Sequence, residues 1–307
     1  MGSGRFRSMG VGELLDAIFS LYRRNFLLIA AVSAAVQVPF AALRYLIYQV
    51  FDYPAAEADI SRLSALAQSG AITHDELQSQ LFNALGTLLL VVGILLVVEL
   101  LVVFPLVEAA TTRAVSDRYL DRPTSVVASY AAAVRRVAAL VAQSLILLGG
   151  FIVLIAVPVG LMIGLSAAAG PVAGTLGVVL LLADVPLFIF IAVRVSLAPP
   201  SIVLEGLSGP RGLRRSWNLV RGSGWRMFGI LLLLGLITAL ISGVVGLLLG
   251  LPGIGLDANG QLLLNQVAQA IAAVFVSPLT YIGITLLYYD MRIRKEGFDI
   301  EMLAASL

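Results

Sequence analysis

Cysteine is absent from this 307-residue chain, which excludes a disulfide framework, a thiolate nucleophile and a cysteine-ligated zinc site. Histidine occurs once, as His74, so neither a histidine-based triad nor a multi-histidine metal centre can be assembled. His74 stands in Thr73-His74-Asp75-Glu76, the pattern of a helix start, and reads as a solvated residue there. Charge is scarce too. Only 12% of residues are charged and 60% are hydrophobic, about half the charged share of a soluble domain. A water-facing surface cannot be built from that composition, which excludes a soluble enzyme, a nucleic-acid partner and a disordered chain together. HExxH, GxSxG, P-loop and aspartate-rich metal signatures are all missing. No catalytic residue, cofactor or metal is therefore implied.

What the chain does have is long uncharged runs. Residues 137–183 contain no charge; as one helix they would be about 70 Å long at 1.5 Å per residue, more than twice the roughly 30 Å hydrocarbon thickness. The run must turn back, and Ala167-Ala168-Ala169-Gly170-Pro171 is the place for it. Similar reasoning gives six spans, at about 26–50, 83–110, 137–166, 172–198, 227–251 and 261–289. The expected fold class is all-α: a polytopic membrane protein with six transmembrane helices in a single integral domain over residues 1–307. Residues 52–82, polar and acidic, read as a loop with a helical turn or two.

The 20 basic residues, 19 of them Arg, are distributed unevenly. The N-terminus, the 111–136 loop, the 194–226 segment and the C-terminal tail hold 4, 5, 6 and 3 of them, leaving only Arg44 and Arg62 elsewhere. By the positive-inside rule both termini and the Arg-rich segments face the cytoplasm of a bacterial inner membrane, with residues 52–82 outside. The spans also pair into three related hairpins. An Arg pair precedes the first helix of each (Arg23-Arg24, Arg135-Arg136, Arg214-Arg215), and Pro-Leu lies in each second helix (Pro105-Leu106, Pro186-Leu187, Pro278-Leu279). The stretches before the hairpins, 14–24, 125–136 and 212–226, mix apolar residues with one basic side, the pattern of amphipathic helices at the inner interface. Arg211, Arg214, Arg215, Arg221 and Arg226 are the candidates for contact with anionic lipid headgroups.

Glu99 and Asp184 fall close to the midplane of their spans, where an ionised carboxylate costs on the order of 2.5 to 3.5 kcal/mol. Arg44 is the nearest candidate partner. An Arg44 pair, a protonated interhelical hydrogen bond and an ion or solute route are the competing readings.

Pro200-Ser201-Ile202-Val203-Leu204-Glu205-Gly206, then Arg214-Arg215-Ser216-Trp217-Asn218-Leu219-Val220 and Trp225-Arg226, resemble a hallmark of a bacterial membrane family. So do the ending Leu286-Leu287-Tyr288-Tyr289-Asp290-Met291-Arg292-Ile293-Arg294-Lys295-Glu296-Gly297-Phe298-Asp299 and the opening Gly12-Glu13-Leu14-Leu15-Asp16-Ala17 with Tyr22-Arg23-Arg24-Asn25-Phe26. The family is labelled glycerophosphoryl diester phosphodiesterase membrane domain, with YciC-like relatives. That label comes from members in which this region precedes a separate phosphodiesterase barrel. A barrel needs about 250 residues, and this chain has none to spare, so the resemblance implies the membrane fold without the enzyme.

The function expected is non-catalytic: an accessory or organising protein of the cytoplasmic membrane, contacting anionic lipid and possessing room for a membrane-protein partner or a second copy. The alternative is a transporter or channel for an ion or small solute, using Glu99 and Asp184. A water-accessible cavity reaching either carboxylate favours transport; a dry, closed bundle favours the accessory role.

Overall fold

The computed structural model describes residues 8–69, 71 and 73–297, which contain helices and no strand. Six segments are long and apolar enough to cross a membrane: Phe26–Val50, Leu88–Tyr119, Val137–Ala169, Gly174–Glu205, Gly224–Gly253 and Ala258–Glu296. The chain is an integral membrane protein, and Leu27, Leu89, Ile163, Leu182 and Leu240 on its spans face outward into what must be acyl chain.

Helix α1 (Val11–Arg24) precedes α2 (Phe26–Val50), with Asn25 between them. Its apolar face is not left for lipid: Leu14 and Ile18 are fully buried in a cluster with Leu286, Leu287 and Met291 of the last helix. The 52–82 segment departs from expectation. It holds α3 (Tyr53–Ser69), and α4 begins at His74 and runs to Val98. Polarity was a poor guide because Ala, Leu, Gln and Glu, abundant here, are strong helix formers whatever their solubility. Thr73 caps α4, its hydroxyl accepting from the Glu76 amide while Glu76 returns the bond, so the helix start at His74 is as expected. The second span is accordingly longer than 83–110, continuing through a π-helical turn (Glu99–Val103) into α5 (Phe104–Tyr119).

After α6 (Val126–Val134), α7 (Val137–Ala169) and α8 (Pro171–Val195) form the hairpin anticipated at 167–171. Gly170 takes φ 88°, a region closed to most side chains. Gly177 lets the two helices close up, since a Cβ there would lie 2.6 Å from the Pro158 carbonyl. Then come α9 (Ala198–Glu205) and α10 (Gly209–Val220). Next is α11 (Gly224–Gly250), a short 3-10 turn, and α12 (Ala258–Phe275), capped by Asp257. The last helix, α13 (Ser277–Glu296), is offset from α12 at Val276.

Two of the three Pro-Leu positions coincide with interruptions: the π turn ends just before Pro105, and the α12–α13 break just before Pro278. Proline lacks the amide hydrogen an intact helix needs. At the second break Leu279 N turns to Val276 O, and the Phe275 carbonyl accepts the Tyr22 hydroxyl at 2.7 Å. Pro186 lies inside an unbroken α8.

The Arg-rich end is fastened by three carboxylates, Asp290, Glu205 and Glu296. Asp290, fully buried, accepts from Met9 N at 2.8 Å, Arg226 at 2.6 Å and Arg294 at 3.0 Å, while both guanidiniums also donate to the Met9 carbonyl. Glu205 accepts twice from Arg215 Nε at 2.9 Å and from the Tyr288 hydroxyl at 2.6 Å; Arg215 continues to Glu296. Hydrogen bonding to Glu296 and Glu205 raises the Arg215 guanidinium pKa above its ordinary value against the opposing effect of burial.

Candidate functional site

The intramembrane carboxylate of Glu99 opens the π turn, where the extra residue per turn rotates it off the regular stripe of α4. Arg44 arrives from the C-terminal part of α2, about 27 Å along the helix from Phe26 at 1.5 Å per residue. Its Nη1 stands 3.6 Å from Glu99 Oε2, and its Nε donates to Gln266 Oε1 on α12 at 2.7 Å. The two side chains keep only 11% and 21% of their surface exposed. Of the three competing readings, the Arg44 pair has its geometry here, loosely closed and supplemented by an amide that the charge pattern did not reveal.

Around the pair lies a cavity of about 460 Å³, walled by α2, the π turn and the start of α5, α11, α12 and the start of α13. Beyond Arg44 and Glu99, its polar lining comes from Gln37, Thr238, Ser242, Gln269, Ser277 and Thr280. Gln37 is 4% exposed, and its Nε2 has no hydrogen-bond partner among the described residues. A buried amide left unmatched costs about 1–3 kcal/mol, so Gln37 is a polar group held in the cavity wall at an energetic cost. Phe40, Ala41, Gly235, Ala239 and Ala270 supply the apolar remainder. The arrangement offers one cation, one anion and several neutral donors and acceptors within low-dielectric walls. It suits a small polar or zwitterionic solute, water or an ion.

Asp184 does not join this site. It is half-buried in α8, makes no ion pair or hydrogen bond among the described residues, and lies outside the cavity lining. The five arginines expected at headgroups divide as well. Arg211, Arg214 and Arg221 are exposed, and Trp225, largely bare, stands nearby. Arg215 and Arg226 are instead taken by Glu205, Glu296 and Asp290. The reason is energetic: a carboxylate buried at the bundle end must have its cation close by. Neither the pairing of Asp290 with Arg226 nor that of Glu205 with Tyr288 follows from span assignment and charge counting alone. Nor were Gln37 and Gln266, whose one signal is an amide inside an apolar span. No group of three or more His, Asp or Glu side chains positioned for a metal occurs among the described residues.

The chain belongs to the family described as a domain of unknown function, DUF7847, which matches residues 9–290. No curated protein and no solved structure matches it. The family description names no activity, and the match does not bear on the resemblance to the phosphodiesterase membrane domain.

Proposed function

We propose that this DUF7847 member is a non-catalytic protein of the bacterial cytoplasmic membrane that takes up an ion or small polar solute at Arg44 and Glu99 for passage across the bilayer. Both termini and the Arg-rich end lie in the cytoplasm in this reading. The observation that carries it is the cavity of about 460 Å³ that brings Arg44, Glu99, Gln37 and Gln269 together within a largely apolar lining. An unmatched Gln37 donor supports it further, and Asp184 has no part in it.

An accessory role in organising anionic lipid is the second reading, favoured by the exposed Arg211, Arg214 and Arg221 beside Trp217 and Trp225, each such base contributing about 1 kcal/mol near an anionic surface. Protein reconstituted into vesicles decides between them, with proton, sodium and potassium flux and uptake of zwitterionic solutes followed in parallel. Flux that falls in Glu99→Gln and in Gln37→Leu, both still folded, supports passage. Tight vesicles throughout, with lipid binding lost only on substitution of Arg211, Arg214 and Arg221, would overturn it in favour of the second reading.

A further inference from the structure

At the opposite, Arg-rich end lies a second cavity, larger than the first at about 690 Å³. Its walls are the exposed side of α1, Asn25 at the α1–α2 junction, the end of α5 and the loop through Pro123, with Leu286 of α13 as floor. Three arginines converge there from three different segments: Arg24, Arg118 and Arg122. None of them has an ion-pair partner among the described residues. Arg118 Nε is buried with no hydrogen-bond partner. A guanidinium cannot shed its proton, so Arg118 keeps its full positive charge beside the cavity.

Glu13 and Asp121 line the same space, and Glu13 also accepts from the Gly10 amide. The local balance is three guanidiniums to two carboxylates, a surplus of one positive charge. That matches an anion of single charge better than a dianion. Guanidinium forks fit the paired oxygens of a phosphate. Ser20, Asn25 and Tyr119 add neutral hydrogen-bonding groups, while Met9, Ala17, Leu21 and Leu286 make the rest apolar. The volume exceeds what a bare phosphate fills and leaves space for the group it esterifies. The cavity also stands where α2 begins and the α4–α5 span ends, at the level of the headgroups.

We infer that this cavity is a binding site for a phosphodiester monoanion, held by Arg24, Arg118 and Arg122. The site is independent of the Arg44–Glu99 cavity and of the exposed α10 arginines. Its ligand comes either from a glycerophospholipid headgroup or from a soluble phosphate ester, and the chemistry of recognition is the same.

Native mass spectrometry of the full-length protein tests this, after exchange into mixed phosphatidylglycerol and phosphatidylcholine, with thermal unfolding measured alongside. The wild type is expected to retain one phosphatidylglycerol, and Arg24→Gln/Arg122→Gln to lose occupancy roughly tenfold, while the unfolding temperatures of the two lipid-stripped proteins agree. Because Arg118 is partly buried, Arg118→Lys serves as its milder variant and is expected to weaken retention by removing the fork. Arg211→Gln/Arg214→Gln/Arg221→Gln is expected to leave this single lipid in place. Added glycerophosphoglycerol or inorganic phosphate identifies the source: stabilisation that depends on Arg24 and Arg122 without lipid assigns a soluble ester, and lipid retention undisturbed by either assigns the headgroup. Lipid occupancy and phosphate response both indifferent to Arg24, Arg118 and Arg122 would overturn the inference.

Discussion

Removing one charge of the Arg44–Glu99 pair should be asymmetric. In Glu99→Gln, Arg44 keeps its bond to Gln266 at 2.7 Å but loses the one carboxylate paired with it among the described residues. With 11% of its side chain exposed it can turn only to what the small cavity beside it holds, and it cannot neutralise itself. Breaking a buried pair costs about 3–5 kcal/mol. The retained amide oxygens and the 3.6 Å separation bring the expected loss to about 2–3 kcal/mol, or roughly 4–8 °C in unfolding temperature. Arg44→Leu leaves a carboxylate that can take up a proton, limiting the loss to about 1–2 kcal/mol. The double variant then has no stranded charge, and the cycle should return a coupling of about 1–2 kcal/mol. Thermal unfolding of the four proteins in one detergent, by intrinsic fluorescence of the two tryptophans or by loss of helical signal, measures it. Additive single changes, or a Glu99→Gln protein as stable as wild type, would refute the idea that the pair is electrostatically closed inside the membrane.

Other outcomes follow from the Arg-rich end. Asp290→Asn should destabilise by about 3 kcal/mol, because two guanidiniums lose their shared anion; faster amide exchange confined at first to residues 9–24 would mark α1 coming away. Tyr288→Phe removes the 2.6 Å bond to Glu205 and is expected to cost about 1–2 kcal/mol, read from the unfolding midpoint. Arg215→Gln should lower that midpoint, whereas Arg211→Gln, Arg214→Gln and Arg221→Gln together should leave it unchanged and weaken salt-sensitive adsorption to anionic vesicles. In this cysteine-free chain, single cysteines at positions 122 and 68 should label from opposite sides of the membrane, and labelling of both from one side would overturn the assigned topology.

Hydropathy and charge made the spans legible because the bilayer imposes length and polarity on each helix separately. The first span, Phe26–Val50, and the Gly170 turn needed no knowledge of neighbours. What failed was local as well: residues 53–69, polar yet helix-favouring, are α3. The site was half legible. Glu99 stands out as a charge in an apolar run, and Arg44 as one of two bases away from the Arg-rich end. Thr238, Ser242 and Gln269 do not stand out. Which face of α11 meets which face of α2 is decided by packing between helices, where lipid and protein are equally apolar and periodicity carries little signal. Arg118 was visible only as one basic residue among five in its loop, since burial of its Nε is decided by tertiary packing.

The bond from Met9 to Asp290 joins residues 281 positions apart. During synthesis the first helix exists long before the last, by on the order of 15 to 60 s at ordinary elongation rates. Through that interval Leu14 and Ile18, which finish wholly buried, have no α13 to cover them. The nascent α1 must lie against the membrane surface or a chaperone in the meantime. Docking of residues 9–24 is thus the closing event of assembly, and a chain stopped before Asp290 would display an amphipathic segment to the cell's quality control however well its earlier spans had inserted.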